Sequence, residues 1–275
     1  MTNIERVLKQ KYPRYAERLI TVWHTSTGER LSEEHLTKIN FSIFADALKS
    51  SVASSSARTY LAMFKATLKM MDDTIKLPSG YERILTVKDE RPMMCYLNEC
   101  DLQKIERYEP KNKNERVVKA QFLIECYTGA RTSDVERFDV SNLQDGFISY
   151  VSQKTKIMAC VPCKPIVERL IRSGENKGSE MALKTKEDII RRILRNSGVN
   201  DIVKVFKAGK EMTGEKWQFC SSHTGRRSFA SNMYLKGVDL FTISKLCGHK
   251  DVSMTVHYIV CGIRQLPTEA LEYFK

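Results

Sequence analysis

Three short stretches of the chain combine residue types that handle phosphate. Cys126-Tyr-Thr-Gly-Ala-Arg131-Thr-Ser-Asp134 reads as an apolar helix broken at Gly129 and restarted through Thr132, Ser133 and Asp134, which leaves Arg131 at the turn. A guanidinium there can fork two hydrogen bonds onto one phosphate, and Asp134, three residues on, can share its face and fix its orientation. In Ser222-His223-Thr-Gly-Arg226-Arg227-Ser-Phe-Ala230, Ser222 is the candidate N-cap. His223 and Arg226 then fall on one face of a first helical turn, where free N–H groups and the helix dipole favour an anion. In Leu246-Cys-Gly-His249-Lys-Asp-Val-Ser-Met-Thr-Val-His-Tyr258, Gly248 ends one helix, His249 lies in the turn, and Tyr258 follows nine residues later. Taken singly, an Arg-x-x-Asp pair is more often structural and a turn glycine is ordinary helix punctuation.

These residues need elements to hold them. Residues 101–108 and 115–128 are helical in pattern, whereas Phe147 to Ser152 and Ile157 to Val161 are β-prone runs around Gln153-Lys154-Thr-Lys156, a hairpin with lysines at its tip. Helical patterns return at 165–172, 185–196, 223–236, 239–247 and 251–259, with a last short helix after Pro267. Ahead of them, residues 1 to about 85 read as a helical bundle: Leu36, Ile39, Ile43, Phe44, Ala47 and Leu48 recur at helical spacing, as do Tyr60, Leu61, Phe64, Leu68 and Met71. Between those two helices, Lys49-Ser-Ser-Val-Ala-Ser-Ser-Ser-Ala-Arg58 reads either as a solvated loop or as a helix N-terminus presented to phosphate. Turn formers at Leu77-Pro-Ser-Gly80 and a charged run ending at Pro92 mark a domain boundary, with domains of 1–88 and 89–275. The expected fold is mainly α with a small antiparallel β-sheet in the second domain.

Composition bounds the partners. The 275 residues include 45 Lys+Arg against 33 Asp+Glu, a formal charge of +12, and the sequence pI is near 9.3. Such an excess of cations releases counterions on meeting a polyphosphate and drives sequence-independent affinity for nucleic acid; a merely solvated basic surface is the alternative. Nowhere do eighteen apolar residues run together, and the start, Met1-Thr-Asn-Ile-Glu-Arg6, has charges where a signal peptide needs an apolar stretch, so neither membrane spanning nor secretion is expected. The eight cysteines (95, 100, 126, 160, 163, 220, 247 and 261) are read as reduced thiols of a cytoplasm.

In order, spacing and context, the motifs resemble the tyrosine recombinases, the family of phage and transposon integrases and Xer resolvases. The likeness covers roughly residues 95–265, and more weakly the helical segment before it, which is similar to the family's core-DNA-binding domain. The wording Ser-His-Thr-Gly-Arg-Arg-Ser-Phe-Ala most resembles integrases of mobile elements from Bacteroides-like bacteria.

The resemblance implies a catalytic set of Arg131, Lys154, His223, Arg226, His249 and Tyr258, with Asp134 behind Arg131 and DNA contacts from Arg58, Lys156 and Arg227. Tyr258 would attack a DNA phosphodiester and form a 3′-phosphotyrosyl link, conserving the bond energy so that another strand's 5′-hydroxyl can reverse the step with no metal or nucleotide cofactor. Arg131 and Arg226 would stabilise the charge that grows on the non-bridging oxygens, and His249 would donate to one of them. His223 would act as base or proton relay, and Lys154, with Lys156 as its rival, as the acid for the departing oxygen. The family also implies a two-domain clamp on double-stranded DNA with paired core sites, a tetrameric synapse, a DNA-bending accessory protein, and a C-terminal segment, about 265–275, that docks on a neighbouring subunit. Larger integrases carry an N-terminal arm-binding domain, for which this chain starts too close to its core-binding helices. Integration, excision, inversion and resolution use the same residues and differ in where the sites lie.

Competing readings attach to the same residues. Cys160, Cys163, Cys220 and His223 imitate the spacing of a zinc site. Tyr234 reads as core packing, Tyr273 has no Gly-His pair ahead of it, and His257 points about 100° away from Tyr258 on a helix. Lys204, Lys207 and Lys210 read as an exposed lysine-rich loop or a phosphate contact. A type IB topoisomerase would use the same kinds of residue without a synapse, and a DNA-binding regulator would carry them unused.

Overall fold

The computed structural model describes residues 1–87, 94–178, 180–207 and 210–260, which divide near residue 92 into two units. The first contains α1 (Asn3–Lys11), α2 (Pro13–Thr27), α3 (Lys38–Ser51), α4 (Ser54–Lys69) and the single turn α5 (Tyr81–Ile84). Thr2 and Glu5 close a capping box on α1, and the Thr37 hydroxyl caps α3. The core of this unit is aromatic: Trp23 meets Phe41, Phe44 and Phe64 at ring-centroid distances of 6.0, 5.4 and 5.7 Å.

One expectation fails in this unit. Ile39 and Ile43, read as part of the apolar stripe of α3, are exposed, and Phe41, Phe44, Ala45 and Leu48 face inward instead. Turning α3 the other way would expose two phenylalanines in order to bury two isoleucines, and the larger rings win on area. Of the two readings of the serine-rich segment, the solvated loop is not formed: α3 continues through Ser51, with Ser50 and Ser51 donating to the Ala47 and Leu48 carbonyls. The chain breaks only at Val52 and Ala53 before Ser54 opens α4, so the segment holds a helix N-terminus, with Arg58 exposed near the start of that helix.

The second unit is built around α7 (Lys113–Thr128), which buries apolar side chains on every side, as a helix packed against several neighbours must. Those neighbours are α6 (Glu99–Arg107), α8 (Thr132–Val135), α9 (Pro165–Arg172), α10 (Leu183–Asn196) and α11 (Ser222–Leu235), followed in the chain by α12 (Leu240–Leu246) and α13 (Val252–Val256). Strands β1 (Leu143–Gln144), β2 (Phe147–Val151) and β3 (Met158–Pro162) form an antiparallel sheet in that order, with Ile148 opposite Val161 and Tyr150 opposite Ala159. Period-two alternation sends those four side chains into the core and leaves Phe147, Val151 and Met158 outside.

A second, two-stranded sheet, β4 (Ile202–Lys207) with β5 (Lys210–Glu215), stands where the lysine-rich loop was expected. Ile202-Val-Lys-Val-Phe is a β-branched, aromatic run whose Val205 is buried, and Lys204 pairs with Glu211 of the partner strand. The lysines punctuate that pattern without breaking it. The segment 265–275, with its expected helix and Tyr273, and Cys261 lie outside the described residues. The seven described cysteines are free, and no helix among the described residues is long and apolar enough to cross a membrane.

Candidate active site

The site is assembled where the C-terminal ends of α7 and α12 meet the first turns of α11. The chain leaves α7 through Gly129 at φ 67°, a left-handed backbone that closes the helix with a hydrogen bond from its N–H to the Glu125 carbonyl. A Cβ there would stand 2.5 Å from Cδ1 of Phe229 on α11, so the helices approach this closely because the residue is glycine. Arg131 follows as the N-cap of α8 and lies half-buried. Burial and the neighbouring Arg226 lower its pKa from the ordinary guanidinium value, while Tyr258 and Asp134 favour its charge.

On α11 the capping residue is Ser221, not Ser222: the Ser221 N–H donates to the Thr224 hydroxyl at 2.9 Å, and Ser222 is already helical. The shift of one residue leaves His223 and Arg226 on one face as expected. Arg226 is only 2% exposed. Its Nη1 donates to the Gly129 carbonyl and its Nη2 to the Cys247 carbonyl at 2.7 Å, satisfying acceptors at the negative ends of two helices. Its Nε is buried with no partner. His223 is exposed to solvent, yet crowding by surrounding protein, then Arg227 and Arg226, lower its pKa, with the Lys154 ammonium adding to the effect and Glu187 opposing it.

Past α12, Gly248 turns the chain and His249 is buried. Its Nδ1 shares a 2.9 Å hydrogen bond with the Thr255 hydroxyl, and its Nε2 is buried without a partner. Desolvation, helped by Arg226 and Arg131, lowers its pKa to about 3, so the ring is neutral at physiological pH. Tyr258 lies beyond α13, which is shorter than the pattern suggested. Its ring stacks on His249 with centroids 5.3 Å apart, and the Arg226 guanidinium lies 5.3 Å over its centroid. Ser231 of α11 donates to the Tyr258 carbonyl at 3.3 Å and accepts from the Val260 N–H at 2.8 Å, anchoring the backbone around the phenol.

The β2–β3 hairpin completes the group. Thr155 at its tip donates to the Gly248 carbonyl at 3.3 Å, and Lys154 and Lys156 are both exposed, the latter at φ 57°. Arg131, Arg226, His249 and Tyr258 are thus gathered, with His223 and Lys154 at their edge. Asp134 does not touch Arg131 through its carboxylate. That group accepts from Arg137, from the Gln153 N–H and from the Ser152 hydroxyl, and Ser152 in turn accepts from Arg131. Arg227 turns inward to the Cys95 carbonyl at 3.3 Å, and Arg58 belongs to the other unit.

The zinc alternative is not assembled. Cys160 is exposed on β3, Cys220 is buried with its Sγ 3.9 Å from that of Cys95, and among the described residues no three His, Cys, Asp or Glu side chains gather as ligands. Tyr234 packs against the core and His257 is exposed, as expected. Sequence reasoning missed Ser152 and Thr255. The signal for Ser152 was the alternation itself, which carries the inward positions Ile148 and Tyr150 on to a serine.

Residues 96–261 match the model of the phage integrase family. The chain is 26% identical over 272 residues to tyrosine recombinase XerC of Rickettsia canadensis (strain McKiel), covering 92% of this chain and 82% of that protein. It is 27% identical over 273 residues to XerC of Rickettsia peacockii (strain Rustic), with the same coverages. Its fold is similar to that of the Tn1549 transposon integrase in complex with transposon right end DNA, at a TM-score of 0.67 and 10% identity over 98% of this chain and 99% of that one. It is also similar to a lambda integrase dimer bound to a COC′ core site, at 0.65 and 15% over 93% and 90%. With a family match across more than half its length, the chain belongs to the phage integrase family.

Proposed function

We propose that this chain is a site-specific DNA recombinase that cuts and rejoins duplex DNA through Tyr258, in the integration or excision of a mobile element. The observation that carries the reading is a pair of buried nitrogens without partners, Arg226 Nε and His249 Nε2, in the two side chains that lie against the Tyr258 ring. Buried donors are normally satisfied, and the non-bridging oxygens of a phosphodiester would satisfy both. In the tautomer whose Nδ1 accepts from the Thr255 hydroxyl, the neutral His249 carries its proton on Nε2 and can donate it in a hydrogen bond.

In this reading the Tyr258 oxygen attacks phosphorus and the bond to the 5′ oxygen breaks. His223, held neutral, takes the phenolic proton, Lys154 supplies one to the departing oxygen, and Arg131 and Arg226 stabilise the charge between them. Attack by another 5′-hydroxyl reverses the sequence. The partners are duplex DNA with paired core sites and three further copies of the chain in a tetrameric synapse, assisted by a DNA-bending protein at the nucleoid. The first unit would hold the core site, with Arg58 and the start of α4 toward phosphate.

The test is incubation with nicked suicide duplexes, drawn from the DNA flanking the gene, in EDTA, followed by denaturing electrophoresis. Wild type is expected to give a covalent protein–DNA adduct and Tyr258→Phe none. Tight binding with no adduct from wild type would make the chain a DNA-binding regulator instead.

A further inference from the structure

Ser152 is fully buried where β2 leaves the sheet for the hairpin. Its Oγ accepts from Arg131 Nη1 at 2.9 Å and donates to Asp134 Oδ2 at 3.1 Å. The direction of both bonds is forced, since a guanidinium only donates and a carboxylate only accepts. The serine proton is therefore committed to Asp134, and a lone pair, polarised by that commitment, is aimed at Arg131. The other Asp134 oxygen is occupied by Arg137 Nη2 at 2.9 Å and the Gln153 N–H at 2.8 Å, so the carboxylate cannot swing toward Arg131 without breaking those bonds.

We propose that Ser152 is the positioning residue for Arg131, relaying the Asp134 charge to the guanidinium and fixing the orientation in which its free N–H groups meet the scissile phosphate. The inference rests on the recombinase reading above. It separates Arg131 from the lysine hairpin, although Ser152 touches both. The hairpin is held by backbone bonds, Ser152 N–H to Ile157 O at 2.9 Å, Lys156 N–H to Ser152 O at 2.8 Å, and Gln153 N–H to Asp134. Ser152→Ala keeps all three and removes the hydroxyl, and with it both the acceptor for Arg131 and the donor to Asp134.

The experiment measures adduct formation by the full chain on suicide duplexes with three scissile groups: a phosphate, a methylphosphonate and a 5′-bridging phosphorothiolate. The methylphosphonate has lost a charged oxygen and so needs less from a guanidinium, whereas the phosphorothiolate leaves as a thiolate and needs no acid. Ser152→Ala is expected to slow phosphate cleavage by roughly ten- to a hundredfold, the scale of a misplacement near 1 Å, with DNA affinity unchanged. Its loss should shrink on the methylphosphonate, as that of Arg131→Ala should, and persist on the phosphorothiolate, where Lys154→Ala should recover. Ratios between substrates within one variant do not depend on how much of it is folded. Wild-type rates on phosphate, equal losses on all three groups, or recovery on the phosphorothiolate would each overturn the assignment. Absence of any wild-type adduct would overturn the recombinase reading and this inference with it.

Discussion

Arg226 has both terminal nitrogens bonded to main-chain carbonyls, so its value to the site lies in what it fixes as well as what it offers. It ties the ends of α7 and α12 together, keeps a cation against the Tyr258 ring and adds to the burial that holds the neighbouring His249 neutral. That neutrality has a measurable cost in acid. An imidazole that titrates near 6.5 when unfolded but only near 3 when folded binds fewer protons in the native state, so stability is lost as the pH falls below about 6.5. The single-site loss is about 2 kcal/mol by pH 5. His223 contributes with the same sign, and Glu125, buried and held protonated up to about 8, with the opposite one. The comparison is therefore made by difference: the stability advantage of wild type over His249→Asn, from urea denaturation, should shrink by about 2 kcal/mol between pH 7 and pH 5. A constant difference would mean that His249 titrates normally in the fold.

At the scale of elements, the site depends on how closely α7 and α12 can end against α11. Gly129 and Gly248 both have left-handed backbones, yet their surroundings differ: a Cβ on Gly129 would meet Phe229 at 2.5 Å and Cys247 Sγ at 3.0 Å, whereas on Gly248 its nearest neighbour is Ala159 Cβ at 3.5 Å. Gly248→Ala should therefore cost only the conformational strain of about 1–2 kcal/mol. Gly129→Ala adds overpacking to the same strain and should cost about 3 kcal/mol or more in urea denaturation, with adduct formation falling as Arg131 and Arg226 are displaced. Equal costs would show that Phe229 yields freely. The helices and the hairpin were legible because their signals are local, in periodicity, caps and turn residues. The face of α3 was not, since Ile39 and Phe41 are both apolar and only the shape of the core chooses between them. Nor were the partners of Asp134: spacing along a helix suggested Arg131, but Ser152 and Gln153 reach the carboxylate from a strand end 18 and 19 residues away in sequence. Lys204, Lys207 and Lys210 drew attention to charge and away from the β-branched alternation beneath it.

At the scale of the whole molecule the charge is distributed, 14 − 11 = +3 over residues 1–90 and 31 − 22 = +9 over 91–275, so both units suit a polyanion and affinity alone cannot separate a recombinase from a topoisomerase. What separates them is the acceptor of the second step. A type IB topoisomerase returns the same 5′-hydroxyl after the duplex has rotated, and one protomer on one site suffices. A recombinase passes the phosphotyrosyl bond to a 5′-hydroxyl from another site, which needs two sites and several protomers. Supercoiled plasmids carrying one or two copies of the target sequence distinguish these outcomes in a single gel. Recombinant circles or inverted segments should come only from the two-site plasmid, with a yield that rises steeply with protein concentration, while the one-site plasmid stays largely supercoiled. Raising the salt from 50 to 200 mM should suppress the product sharply, since neutralising even six phosphates makes binding weaker by about a thousandfold over that range. Equal relaxation of both plasmids, with no rearranged product, would assign Tyr258 to swivelling and not to strand exchange.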